Sequence, residues 1–196
     1  MLYLYKIRET RHMAECLMDA QEMHRLLTGL VHQSRAEANL LYWLVPEQMV
    51  LWVQSDVKPD ACADLELVHE IPIEKIMQKK GIGETITFYL TTIPVFHING
   101  QRHYLSSPAR QAKWLQHSMQ ERGIDLRNWE LLSKATQSIH HQKDRGGYGS
   151  MTLYTYRLSG KITDLDALLE AWHSGIGPER AYGSGLCILA NNSIVY

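Results

Sequence analysis

The order strand, helix, strand, strand, helix, strand runs twice along these 196 residues, and few folds accommodate it. In the first pass, Leu2-Tyr3-Leu4-Tyr5-Lys6-Ile7 has the composition of a strand. Residues 19–38 read as a helix: Asp19 is a capping residue, Glu22 stands at the capping-box position, and Met23, Leu26, Leu27, Leu30 and Val31 recur on one face. Residues 40–44 and 49–53 read as a hairpin about Pro46-Glu47-Gln48, and residues 55–70 as acidic and irregular. A short helix over 73–80, stopped by Gly81 and Gly83, precedes a strand over 85–92 that ends before Pro94. The second pass has a short strand over 102–105 and a helix from Ser107-Pro108 to Arg122, stopped by Gly123. Two strands over 129–140 and 150–158 follow, then a helix capped by Thr163 and a last strand over 186–189. The pattern predicts an α+β chain of two tandem ferredoxin-like βαββαβ domains, residues 1–96 and 97–196. Trp114, Trp129 and Trp172 are expected in the core.

Charge divides the chain differently. The whole carries −1, but residues 97–161 hold 10 basic and 4 acidic side chains, while residues 1–96 hold 9 and 13. A locally basic stretch within a neutral protein suits a surface that meets phosphate on one side. Cys16, Cys62 and Cys187 are too few and too scattered for a disulfide framework or a zinc site, which favours a reducing cytoplasm. No apolar run is long enough for a membrane helix, and no clustered carboxylates or spaced His/Cys set suggests a metal or other cofactor.

Two segments are candidates for chemistry. In Gly175-Ile176-Gly177-Pro178-Glu179-Arg180-Ala181-Tyr182-Gly183-Ser184-Gly185, the glycines Gly175, Gly177, Gly183 and Gly185 let the backbone approach a phosphate or another segment closely. The loop follows a helix and precedes a strand, the reverse of the dinucleotide fingerprint, and it lacks the Gly-Lys-Ser/Thr ending of a Walker loop. A tight helix-to-strand turn is the alternative. The second segment is the basic hairpin over residues 134–157, with Lys134, His140, Lys143, Arg145 and Arg157, and with Tyr148 available to stack on a base. His140 and His141 are no metal pair, because strand neighbours point to opposite faces.

The glycine segment, the start Met1-Leu2-Tyr3-Leu4-Tyr5-Lys6, the stretch Glu22-Met23-His24-Arg25 and Ser107-Pro108-Ala109-Arg110-Gln111-Ala112-Lys113-Trp114-Leu115 together resemble the CasE family. That family is the endoribonuclease subunit of type I-E Cascade, and the resemblance spans essentially the whole chain. It implies metal-independent cleavage of CRISPR repeat hairpins in precursor RNA by 2′-OH attack, leaving a 2′,3′-cyclic phosphate and a 5′-hydroxyl. The stem-loop product would stay bound beside the other Cascade subunits. His24 matches the family's catalytic histidine; Arg25 would hold phosphate. Such chemistry suits a lone histidine, because RNA carries its own nucleophile and an imidazole titrates near neutrality.

Two positions depart from the family. Gln21 stands where relatives carry a tyrosine on the face of His24, and an amide cannot donate a proton as a phenol can. Phe88-Tyr89-Leu90-Thr91-Thr92-Ile93-Pro94 replaces an arginine-rich strand. Two functions therefore stay open: an endoribonuclease using His24 and Gln21, or a subunit that binds the hairpin and turns over poorly or not at all. An oligomeric ferredoxin-like domain without an RNA role accounts for neither the basic segment nor the glycine loop.

Overall fold

The computed structural model describes residues 1–141 and 147–190, the side chains at 140–141 and 147–148 excepted. Two four-stranded antiparallel sheets organise it. The first contains β1 (Leu2–Ile7), β2 (Leu41–Val45), β3 (Val50–Gln54) and β4 (Leu65–Ile71), in the order β2-β3-β1-β4. The second contains β5 (Thr85–Thr92), β8 (Ile124–His141), β9 (Gly147–Ile162) and β10 (Cys187–Leu189), in the order β10-β5-β9-β8. A small hairpin, β6 (Val95–Ile98) and β7 (Gln101–Tyr104), stands between them in sequence. Both large sheets have the ferredoxin-like order, in which the first strand lies centrally between the third and the fourth.

Strands β1, β2 and β3 of the first sheet are apolar at nearly every position because both of their faces are covered. Tyr3, Tyr5, Tyr42, Leu51 and Val53 pack with Met13, Met23 and Leu27 of the helices on one side. Their neighbours Leu2, Leu41, Trp43 and Trp52 point the other way, into a cluster shared with Phe88, Tyr156, Trp172 and Leu186 of the second half. Period-two alternation thus distributes one strand between two cores. A third cluster of Ala20, Ile93, Val95, Ile139, Met151 and Leu153 seals the seam beside the candidate site.

Several elements differ from the sequence expectation. The helix over 19–38 is two helices, α1 (Arg11–Met18) and α2 (Ala20–Val31), broken at Asp19. Asp19 has extended dihedrals, ends α1, accepts from Gln21 N at 2.9 Å to cap α2, and bridges to Ser138 of β8. α1 begins at Thr10, whose hydroxyl accepts from Met13 N. Residues 65–71 form β4, the fourth strand of the first sheet, and no helix spans the connection from β3. β4 is exposed over most of its length, so it lacks the alternation that marks a half-buried strand.

The strand over 85–92 forms where expected but pairs with β9 and β10, opening the second unit from the N-terminal side of residue 96. Residues 102–105 supply β7 of the small hairpin instead of that opening strand. The short helix over 73–80 is α3 (Ile73–Met77). α4 (Pro108–Gln120) starts at the expected proline, while α5 (Leu165–Ser174) is capped by Asp164, which accepts from Ala167 N, and not by Thr163. Trp172 is buried, Trp114 is half-buried, and Trp129 is 37 % exposed against the ring of Tyr156 on the edge strand β8. Among the described residues, no helix is long and apolar enough to cross a membrane.

Candidate nucleic-acid site

α2 carries His24 toward the seam. Met23 and Leu27 bury the helix against the first sheet, which leaves His24 half-buried on the neighbouring face. Its Nδ1 is buried with no hydrogen-bond partner among the described residues. Burial pushes the imidazole's pKa below its ordinary value of 6.5, and the charges of Arg35 and Arg25 push it further. An imidazole held neutral can accept a proton.

The glycine loop, which follows α5, meets α2. Its turn, Arg180–Tyr182, sets the Tyr182 ring edge-on to His24, with centroids 6.0 Å apart and planes at 71°. The Tyr182 hydroxyl donates to Gln21 Oε1 at 3.0 Å. Gln21 and His24 share a face of α2, so the three side chains form one surface. The glycines shape this loop by packing. A Cβ on Gly177 (φ +107°) would lie 2.1 Å from Thr92 Oγ1, and one on Gly183 (φ +83°) would lie 3.1 Å from the Tyr42 ring. Gly175 and Gly185 are buried and face Leu41 and Ile176.

The site is cationic. Arg25 pairs with Glu22, one turn before it on α2. Arg35, in the turn after α2, and Arg180, in the glycine loop, are both half-buried and have no carboxylate partner among the described residues. Burial lowers the pKa of Arg180, and the charges of Arg35 and Arg122 lower it further. A half-buried guanidinium with no carboxylate partner suits an anion such as phosphate. Neither Arg35, Arg180 nor Tyr182 was expected from sequence. Their grouping is made by tertiary structure, and no spacing in the chain encodes it.

The remaining expected residues lie on the β8–β9 ribbon. Lys134 is exposed, with Nζ 5.8 Å from the Tyr154 ring centroid, and Arg157 is exposed on β9. Both line a cleft of about 650 Å³ between the β2–β3 turn and the second sheet, with Gln48, Glu130, Thr155 and Gly183. The cleft therefore reaches the glycine loop. His140 and Tyr148 are paired in the backbone register as the ribbon continues, while Lys143 and Arg145 lie outside the described residues. Phe88, Leu90 and Thr92 of β5 are buried, as its central place in the sheet requires. Asp56, Glu74 and His173 bring metal-ligand atoms within 4.8 Å of one another, on elements that do not carry His24.

Comparison with known proteins agrees with this architecture. The family model described as CRISPR associated protein matches residues 2–191. A relative from Thermus thermophilus, the CRISPR-associated endoribonuclease Cse3, is 27 % identical over 194 residues, covering 89 % of this chain and 91 % of its own. A solved structure of the CRISPR endoribonuclease Cse3 bound to 19 nt RNA superposes with a TM-score of 0.81 at 22 % identity, covering 97 % of this chain and 99 % of that one. A chain of the Escherichia coli Cascade bound to a PAM-containing dsDNA target superposes with a TM-score of 0.58 at 20 % identity, covering 97 % and 98 %. These two structural likenesses show the fold.

Proposed function

The chain belongs to the CRISPR associated protein family, and from that premise we propose that it is an endoribonuclease that cuts the repeat hairpin of precursor CRISPR RNA. The relative's name, Cse3 endoribonuclease, and the Cse3 structure with bound RNA support this reading. The likeness to a chain of Cascade supports a place in such an assembly, with the cut hairpin retained. The observation that carries most weight is half-buried His24, its Nδ1 without a hydrogen-bond partner among the described residues, its ring edge-on to Tyr182 of the glycine loop and its charge opposed by Arg35 and Arg25. The RNA would run along the β8–β9 ribbon and the cleft below it, delivering one phosphodiester to α2.

The reaction then needs no external nucleophile. The 2′-oxygen bonds to phosphorus as its proton passes to the imidazole of His24, the P–O5′ bond breaks, and water protonates the 5′-oxygen. A 2′,3′-cyclic phosphate and a 5′-hydroxyl result. Arg35 and Arg180 hold the phosphate and oppose the charge that builds on it. Arg25 joins them by exchanging Glu22 for the phosphate.

The decisive experiment incubates the purified protein with end-labelled repeat RNA and identifies the termini. The cyclic-phosphate product is expected from the native chain, and none from His24→Ala, which should bind the hairpin within about threefold, since one neutral ring adds little phosphate affinity. Full cleavage by His24→Ala overturns the assignment. Tight binding without any product from the native chain would establish the rival reading, a subunit that only holds the hairpin.

A further inference from the structure

Tyr182 is joined to the site by two independent contacts. Its hydroxyl donates to Gln21 Oε1 at 3.0 Å, and its ring meets the edge of the His24 imidazole. The two helix residues are one turn apart, so the phenol lies across the surface where a phosphodiester must sit to reach His24. We propose that Tyr182 is a catalytic residue: when RNA binds, its hydroxyl leaves Gln21 and donates to a non-bridging oxygen of the scissile phosphate. The proposal rests on the endoribonuclease reading and deepens it.

The present hydrogen bond is one that an anion can displace. A phenol–amide bond joins two neutral groups, whereas a phenol–phosphate bond is charge-assisted and about twice as strong. Gln21 thus holds the hydroxyl in place until the better acceptor arrives. No covalent change occurs at Tyr182: the proton of the 2′-hydroxyl passes to His24, the P–O5′ bond breaks, and the phenol keeps its own proton throughout. Burial raises the phenol's pKa, with Glu179 and Asp19 adding to it, so the group remains a neutral donor wherever His24 titrates.

The donor is also fixed in advance. Tyr182 packs against the seam cluster, and its N–H bonds the carbonyl oxygen of Glu179 at 2.9 Å, closing the turn. Glu179 and Gly183 on either side of the turn have positive φ, of 55° and 83°. A donor held by its backbone needs no reorganisation when charge develops, the condition under which such groups contribute most.

Tyr182→Phe removes only the oxygen and keeps the ring in its packing. Single-turnover cleavage at saturating protein should fall about 100-fold, while hairpin affinity stays within about threefold and the melting temperature is preserved. The acid limb of the pH–rate profile should keep its position, because His24 still accepts the proton. A phosphorothioate at the scissile linkage accepts hydrogen bonds poorly through sulfur. One stereoisomer should slow the native chain yet add no further slowing to Tyr182→Phe.

A native rate in Tyr182→Phe overturns the proposal and leaves the endoribonuclease reading intact, provided that His24→Ala remains silent. Weaker binding with an unchanged saturating rate, a displaced acid limb with an unchanged plateau, or independent slowing by sulfur also overturns it. If the native chain yields no cyclic phosphate, the functional reading falls and this proposal with it.

Discussion

The side-chain amide of Gln54, at the end of β3, donates to the carbonyl oxygen of Trp172 at 3.1 Å, across the seam between the two halves. The same nitrogen also reaches the carbonyl oxygen of His173 at 2.9 Å, and Asn39 adds a donor to that second oxygen at 2.8 Å. These carbonyls belong to the last turn of α5, where the helix itself leaves its acceptors unpaired. Gln54 is 3 % exposed, so water cannot replace it. Gln54→Met should lower stability by about 1–3 kcal/mol, read as a shift in the urea midpoint at constant m. An unchanged midpoint would show that the seam does not depend on this amide.

With His24 as the proposed base, the pH dependence of cleavage follows from its environment. Burial first, then the Arg35 and Arg25 charges, hold its pKa below the ordinary 6.5. The neutral base therefore persists to lower pH, and the acid limb of kcat/KM, which reports the free protein, should have its midpoint below 6.5. Arg35→Gln removes one of the opposing charges and should move that midpoint upward. Stability follows the same sign: the contribution of this group is present above the unfolded pKa and is lost as pH falls through the folded one. A proton NMR titration of the imidazole in both proteins checks the direction.

The proposed role of Arg35 and Arg180 in holding phosphate makes a separate prediction about salt. Arg35→Ala and Arg180→Ala should each weaken hairpin binding and reduce the slope of log K against log salt by about 1. Arg25→Ala should have a smaller effect, because Glu22 already neutralises it in the free protein. Arg35 is the cleaner test, since Arg180 also donates to the carbonyl oxygen of Gly177 at 3.0 Å and supports the loop. Slopes that do not change would place the RNA elsewhere.

In the proposed mechanism the nucleophile belongs to the substrate. Replacing the ribose at the scissile position by 2′-deoxyribose should abolish cutting while leaving binding within about twofold, since phosphate contacts dominate affinity. EDTA should leave the rate unchanged. Cleavage that stops with EDTA and returns with a divalent cation would overturn the single-imidazole mechanism.

Gly177 joins loop shape to chemistry. At φ +107°, with Thr92 Oγ1 2.1 Å from the position of a Cβ, Gly177→Ala has no room and an unfavourable backbone. Strain of this kind costs about 1–3 kcal/mol, and it falls on the loop that presents Arg180 and Tyr182. The rate should fall further than the population of folded protein, measured by single-turnover cleavage beside circular dichroism. Equal losses would make the glycine purely a folding requirement.

Much of the fold could be read along the chain because it is written in local periodicity. β1, β5 and the start of α4 lie where composition and capping place them. The hairpin of β2 and β3 is offset by one residue. The misplacements are tertiary in origin. β4 has an exposed face, which erases its alternation, and β5 has the sequence of a strand without any mark of which sheet it joins. Asp19 looked like the start of one long helix because a cap reads alike whether or not another helix precedes it.

The site was half legible for a related reason. His24 and Arg25 share a helix with Gln21, so a short segment exposes their kinship. Arg35, Arg180 and Tyr182 are ordinary residues in sequence and acquire meaning only when the glycine loop docks on α2. The glycines announced the loop, but what they permit is its close packing on Thr92 and Tyr42.

That docking has a consequence for synthesis. A ribosome makes α2 well before the Arg180–Tyr182 turn, so a nascent chain displays its imidazole before the opposing phenol and guanidinium exist. If the phenol and guanidinium serve as proposed, a nascent chain without that turn would leave passing transcripts uncut.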